Sequence, residues 1–187
     1  MKLLLVGAGG HARPVVEAAL DNGHTVTACA ATAPPDWLDV PTIADEDPLP
    51  PGIEGFVMGL GGVDSASLRR RLELFQRYAS RSLVPISPVH SRAFAAGDTV
   101  IGDGVIALAG AVVNAGAKIS EAVIVNTGAI VEHDAVVEAG AHVAPGAIVL
   151  GAAHIGSCAM VGAGAVVLPG AAVPADTLVP SLTRYPH

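Results

Sequence analysis

The sequence predicts a small α/β domain with a parallel sheet, followed by a parallel β-helix of hexapeptide repeats. Three observations predict it. Strand-like and helix-like segments alternate from Met1 to about Pro88, residues 99–176 divide without a gap into thirteen six-residue units, and the composition is 51% apolar yet only 3% aromatic. Gly and Ala in place of large rings suit backbone stacked closely on itself, as in a repeat architecture. At 187 residues the chain is long enough for one sizeable domain or two small ones.

The first element is the apolar run KLLLVG, which ends in glycines and reads as a strand. ARPVVEAALDNG follows with helical spacing at Val15, Val16, Ala19 and Leu20 and stops at Gly23. HTVTACA then reads as a second strand, completing a βαβ unit. After the Pro-rich acidic loop APPDWLDVPTIADEDPLPPG, GFVMGL gives a third buried strand. Asp64 or Ser65 caps a helix whose Leu68, Leu72 and Phe75 share one face, with Arg69 to Arg71 expected to lean outward. These elements form the domain over residues 1–88, with 89–98 as a linker into the first coil.

From Thr99 the period becomes six: TVIGDG, VIALAG, AVVNAG, and so on to AAVPAD. All but one of the thirteen third positions are Val or Ile, the exception being Ala107, and first positions are mostly Ala. Gly, Asn, Pro and Asp gather at positions four to six, where a chain turns. Each unit is therefore a short flat strand and a turn, and three sides close one triangular coil. Position three points into the prism, position one fits its inner corner, and coils stack about 4.8 Å apart. Thirteen units make a little over four coils, leaving 177–187 as a C-terminal tail.

A net charge of −7 argues against a nucleic-acid scaffold, because tracking phosphates needs clustered Lys and Arg. The expectation is also no membrane span and no signal peptide, hence a cytoplasmic protein. Cys29 and Cys158 lie far apart without ligand spacing and read as a reduced pair in an intracellular protein.

Chemistry concentrates in GAIVEHDAVVEAGAHV, where Glu132, His133 and Asp134 stand in a row among Ala, Gly and Val. In this register His133 lies at position five, beyond a turn, and His142 and His154 at position two point out of the prism, so none is a core histidine. A carboxylate flanking His133 would fix its tautomer and stabilise its protonated form, as a general base requires. Zinc is the rival reading of the histidines. Ligands stacked on one face need spacings near 18 residues, whereas the intervals are 9, 12 and 21, so no metal is expected, and only ligands from neighbouring subunits would rescue a metal-dependent hydratase. Separately, GAGGHA fits G-x-G-x-x-A between a strand and a helix, where a Rossmann-like fold seats a pyrophosphate on backbone N–H groups. A nicotinamide enzyme would want an acidic residue at the end of the second strand, and TVTACAAT has none.

The stretch VIVNTGAIVEHDAVVEAGAHVAPGAIVLGAAHIG, behind a domain that starts LLLVGAGGHARPVVEAA, resembles the PglD/NeuD family of sugar acetyltransferases, within the hexapeptide-repeat acyltransferase superfamily, over nearly the whole chain. The resemblance implies a left-handed β-helix, although parallel crossovers are usually right-handed, and a homotrimer with sites between adjacent β-helices. It implies acetyl-CoA as cosubstrate and a nucleotide-linked amino sugar as acceptor. His133 becomes the general base and Asp134 its carboxylate partner. His142 is expected near the thioester carbonyl, Gly151 and Ala163 along the pantetheine arm, and Asn126 with Gly9, Gly10 and His11 at the acceptor. Only Lys118 and Arg184 are cationic from Thr99 on, so backbone donors or a neighbouring chain would hold the CoA phosphates. O-acetylation of a sialic-acid-like sugar is the alternative reaction, and a non-catalytic binding protein the alternative class.

Overall fold

The structure is a computed structural model describing residues 1–186; His187, the end of the expected tail, lies outside the described residues. The N-terminal part runs β1 (Lys2–Val6), α1 (Ala12–Asp21), β2 (Thr25–Ala30), β3 (Thr42–Ile43), β4 (Gly55–Met58), α2 (Ser65–Ala79) and β5 (Val84–Pro85). Among the described residues these strands form a five-stranded sheet in the order β3-β2-β1-β4-β5, with every pairing parallel. Leu3 to Val6 are fully buried in the central strand, as a parallel strand covered on both faces demands. The short β3 and β5 escape sequence reading because two residues carry no period. At the start of α2, Asp64 accepts from the Ser67 backbone N–H at 2.8 Å and the Ser67 hydroxyl accepts from the Asp64 N–H at 3.2 Å, a reciprocal cap.

The rest of the chain is a parallel β-helix of two-residue strands, consistent with a left-handed hexapeptide solenoid. Its ladders form three faces, named here by one residue each. The Ile130 face stacks six strands from Phe94–Ala95 to Arg184–Tyr185 among the described residues; the Lys118 face runs from Val100–Ile101 to Ala172–Val173, and the His142 face from Ile106–Ala107 to Leu178–Val179. The ladders thus extend beyond the 99–176 repeat run at both ends, into the segments read as linker and tail. Positions one and three fill the interior: Ala111, Val113, Ala117, Ile119 and their successors make one continuous core. Position six is left-handed throughout, occupied by glycine or, as at Ala122, Asp134 and Cys158, by a side chain with φ of 53–59°.

The two parts share one core. Ile106, Leu108, Ala122 and Ile124, on the outside of the prism, pack into the same cluster as the sheet and helices. Helix α2 lies along the corner between the Lys118 and His142 faces, with Leu72 over Gly140 and the Arg69 guanidinium on the Asp176 carboxylate. One expectation fails on this helix. Arg71 does not lean outward but is 1% exposed, because it falls on the buried side with Leu68, Phe75 and Tyr78. The Ile130 face remains uncovered; Val112, Ile130, Ile148 and Val166 are half-buried and Phe94 is exposed.

Candidate functional site

His133 stands on the corner between the Ile130 and Lys118 faces, the corner farthest from the N-terminal domain. Its backbone is pinned by the coils on either side: the carbonyl of His133 accepts from Ala152 N–H at 2.9 Å, and Asp134 N–H donates to the carbonyl of Ala115 at 3.0 Å. Asp134 takes the left-handed position with φ 59°, a conformation that Asp tolerates better than most residues. This turn carries the carboxylate back to its neighbour, and His133 Nδ1 lies 2.9 Å from Asp134 Oδ2. A carboxylate only accepts, so Nδ1 carries the proton and Nε2 presents a bare lone pair. The hydrogen bond to Asp134 raises the His133 pKa above its usual value; desolvation opposes it, and the Asp134 and Glu132 charges add to it.

Glycines flank this pair in the neighbouring coils. A Cβ on Gly151 would lie 2.6 Å from His133 Nε2 and 2.7 Å from Cε1, and one on Gly116 would lie 2.6 Å from Asp134 Oδ1. Gly151 has no left-handed φ, so the imidazole is the reason for a glycine there.

His142 is placed differently from expectation. It points out of the prism but is 6% exposed, because the loop after β4 covers it. Its Nδ1 donates to the Gly62 carbonyl at 2.8 Å, and its Nε2 lies 2.9 Å from Asn126 Nδ2. Asn126 Oδ1 is taken by the Thr127 N–H at 2.8 Å, so the Asn126 amide donates and His142 is neutral with both nitrogens satisfied. Burial, followed by the hydrogen bond to Gly62 in opposition and the Arg71 charge in support, brings its pKa down to about 4. The His11 ring centroid lies 6.5 Å away, and desolvation with the charges of Arg71 and His142 lowers the His11 pKa to about 4 too.

Beside this junction opens a cavity of about 920 Å³ between the ends of the parallel strands and α2. Gly9, Gly10, Arg13, Trp37, Arg70 and Arg71 are among its lining residues. Trp37, the chain's single tryptophan, donates from Nε1 to the Ala8 carbonyl at 3.1 Å and carries the Arg13 guanidinium on its ring at 5.3 Å. The glycine loop thus opens where a parallel sheet binds ligands, outside the C-terminal strand ends.

Among the described residues no group of three or more His, Cys, Asp or Glu is arranged to hold a metal ion. His133, His142 and His154 stand apart on a corner and two faces, and His154 Nε2 is 2.7 Å from Glu138 Oε1 instead. No helix among the described residues is long and apolar enough to cross a membrane.

No protein-family model and no curated protein sequence matches the chain. Solved structures do. PerB from Caulobacter crescentus, solved with CoA and GDP-perosamine, is 31% identical with a TM-score of 0.90, the match covering 98% of this chain and 88% of that one. The chain belongs to the hexapeptide-repeat sugar acetyltransferases. A GDP-perosamine N-acetyltransferase variant from the same organism, with a histidine replaced by alanine, is 30% identical at TM-score 0.90 over 98% and 88% of the two chains. The acetyltransferase domain of PglB from Neisseria gonorrhoeae FA1090 is 28% identical at 0.85 over 98% and 90%.

In this sugar acetyltransferase the sequence-predicted residues fall into three places. His133, Asp134 and Gly151 come together on one corner. Gly9, Gly10 and His11 start α1, and His11 joins His142 and Asn126 under the domain. Ala163 sits two coils further along the Asn126 corner, between the His142 and Ile130 faces, where its carbonyl accepts from Leu182 N–H at 2.9 Å. Sequence reading missed Gly116, Trp37 and Arg71. For Arg71 a signal existed, since residues 68, 71, 75 and 78 repeat at helical spacing.

Proposed function

We propose that the chain transfers the acetyl group of acetyl-CoA to the amine of a nucleotide-linked amino sugar, with His133 as general base. The observation that carries this is the open His133–Asp134 pair with Nε2 bare beside Gly151, in a chain whose relative PerB was solved with CoA and GDP-perosamine. Nε2 accepts the proton that the amine nitrogen sheds as its bond to the thioester carbonyl carbon forms. Asp134 stabilises the resulting imidazolium. The C–S bond breaks, and the proton passes to the departing CoA sulfur. No acyl group rests on the protein, which supplies positioning and one proton transfer. Acetyl-CoA would approach the exposed side of the imidazole, which rests against Gly151.

The acceptor belongs in the N-terminal cavity, with residues 1–88 as its Rossmann-like binding domain. The β3-β2-β1-β4-β5 strand order and the glycine loop at the start of α1 support this reading. Gly9 and Gly10 would take the phosphates, with His11 and Asn126 nearer the sugar.

Cavity and base lie on opposite sides of one chain, so the working site needs a second copy. The uncovered Ile130 face is the natural contact. It is bounded on one side by the His133 corner and on the other by the corner carrying Asn126 and Ala163. Three chains joined through this face about a threefold axis set the first corner of each against the second corner of the next. His133 and Gly151 of one chain then meet Asn126, Ala163 and the covered His142 of its neighbour, a homotrimer with three sites between β-helices. His142, already bonded on both nitrogens, supports the Asn126 corner in this arrangement.

The test is thiol release from acetyl-CoA with UDP- and GDP-linked 4-amino sugars and free sialic acids, for wild type and His133→Ala. Turnover of one nucleotide-linked amino sugar, lost in the variant, is expected. Turnover of sialic acids alone, or full activity in the variant, overturns the proposal.

A further inference from the structure

Arg71 is a buried cation with an unpaired donor. Its Nε donates to the Leu60 carbonyl at 2.8 Å and one terminal nitrogen, Nη1, to the Ala122 carbonyl. The other, Nη2, is buried and has no partner among the described residues. Both partners are neutral, so among the described residues the charge has no counter-ion in a place where an unpaired ion is costly. A buried donor without a partner calls for an explanation, and a bound anion supplies one.

The cavity beside Arg71 is suited to an anion. Arg71 lines it together with Arg13 and Arg70, across from Gly9 and Gly10 at the start of α1. His11 Nε2, at that same helix start, is likewise buried and unpaired. Two acids share the wall, but Asp36 lies 3.9 Å from Arg13 and Asp45 accepts from the Tyr78 hydroxyl at 3.0 Å. The Leu60 carbonyl held by Arg71 is two residues from the Gly62 carbonyl held by His142, so one short loop is gripped by both side chains.

We propose that Arg71 Nη2 binds a phosphate oxygen of the nucleotide-linked acceptor in this cavity, pairing the buried guanidinium and fixing the 60–62 loop against His142. The inference rests on the acceptor reading above and names a phosphate-binding residue within it. Because Nη2 carries no solvent-exposed surface, the contact requires a small movement of the side chain about its two carbonyl bonds.

The experiment is calorimetric titration of wild type, Arg71→Met and Arg71→Lys with GDP, UDP and inorganic pyrophosphate, alongside melting of the unliganded proteins and the turnover assay above. The Met variant is expected to bind the preferred nucleoside diphosphate about 10- to 100-fold more weakly, the range for a hydrogen bond between charged groups. Its unliganded melting temperature should fall only modestly, since the loss of the two bonds to the Leu60 and Ala122 carbonyls is offset by removal of an unpaired buried charge. The Lys variant keeps the charge without the fork and is expected to lose less. Unchanged nucleotide affinity in both variants would make Arg71 a strut and overturn the proposal. If Arg71→Met fails to fold, unchanged affinity in Arg71→Lys overturns it and weakened affinity supports it. Arg71-dependent diphosphate binding without acetylation of any amino sugar would sink the acetyltransfer reading and leave this one standing. Acetylation with an unchanged acceptor KM in the Met variant would do the reverse.

Discussion

Gly151→Ala tests the geometry of the His133 corner with a single methyl group. The added Cβ would stand 2.6 Å from His133 Nε2 and 2.7 Å from Cε1, whereas non-bonded heavy atoms settle at about 3.5–4.0 Å. One partner must therefore retreat by roughly 1 Å. The Gly151 backbone is held by its coil, where its carbonyl accepts from Gly170 N–H at 3.0 Å, while the imidazole is the free end of a side chain 64% exposed. The imidazole moves out of the position in which its Nδ1 meets Asp134 Oδ2 at 2.9 Å and its Nε2 lies over Gly151. A displacement of this size costs on the order of 100-fold in rate when it moves a reacting group. Because φ at position 151 suits an L residue, the melting temperature should hold or rise slightly, Ala being stabilising by about 0.4–1 kcal/mol at a compatible site. Steady-state thiol release gives kcat/KM, and a thermal melt reads the fold. Wild-type kcat/KM in a folded Gly151→Ala would refute the placement of the base beside this glycine.

Four further outcomes are expected. The acid limb of kcat/KM reports His133, which works only when neutral; since Asp134 raises its pKa, Asp134→Asn should move that limb to lower pH while reducing kcat, read from pH–rate profiles. Asp134→Gly should raise the melting temperature, by removing a side chain from the left-handed position, and still lose activity. Ile130→Asp places a charge at the centre of the uncovered face and should yield a folded monomer without turnover, as read by sedimentation and thiol release. His11 and His142, both held down to about 4, favour the fold while neutral. Their contribution is complete above the ordinary value near 6.5 and is lost as pH falls towards 4, roughly 3 kcal/mol each at the limit. Denaturant titrations between those pH values measure it, with His142→Gln showing the shallower dependence.

The β-helix was legible because its physics repeats. Each coil asks again for a branched residue inward at position three and a small one at position one, so the six-residue phase stands out. Its ends were harder to read: at Phe94–Ala95 and Arg184–Tyr185 the third position holds Ala95 and Tyr185, and the backbone ladder continues where the side-chain pattern lapses. The His133–Asp134 pair was legible because both partners are adjacent in sequence. The burial of His142 was not, since its cover comes from Gly62, eighty residues away. Arg71 was hidden by its neighbours: three arginines in a row suggest a solvated face, and only the helical spacing of Leu68, Phe75 and Tyr78 separates the third from the other two.

Helix α2 acts as a ruler laid along the solenoid. It meets Gly104 through Phe75, Gly140 through Leu72 and Asp176 through Arg69, so points in order along a rigid rod are matched to particular coils. A solenoid by itself lengthens or shortens readily by one coil of eighteen residues. Here such a change between Gly104 and Asp176 would leave every interior position filled and every ladder paired, yet throw the rod out of step with its marks. The length of the β-helix under α2 is set from outside it, and coils are free to be added only beyond the ruler's ends.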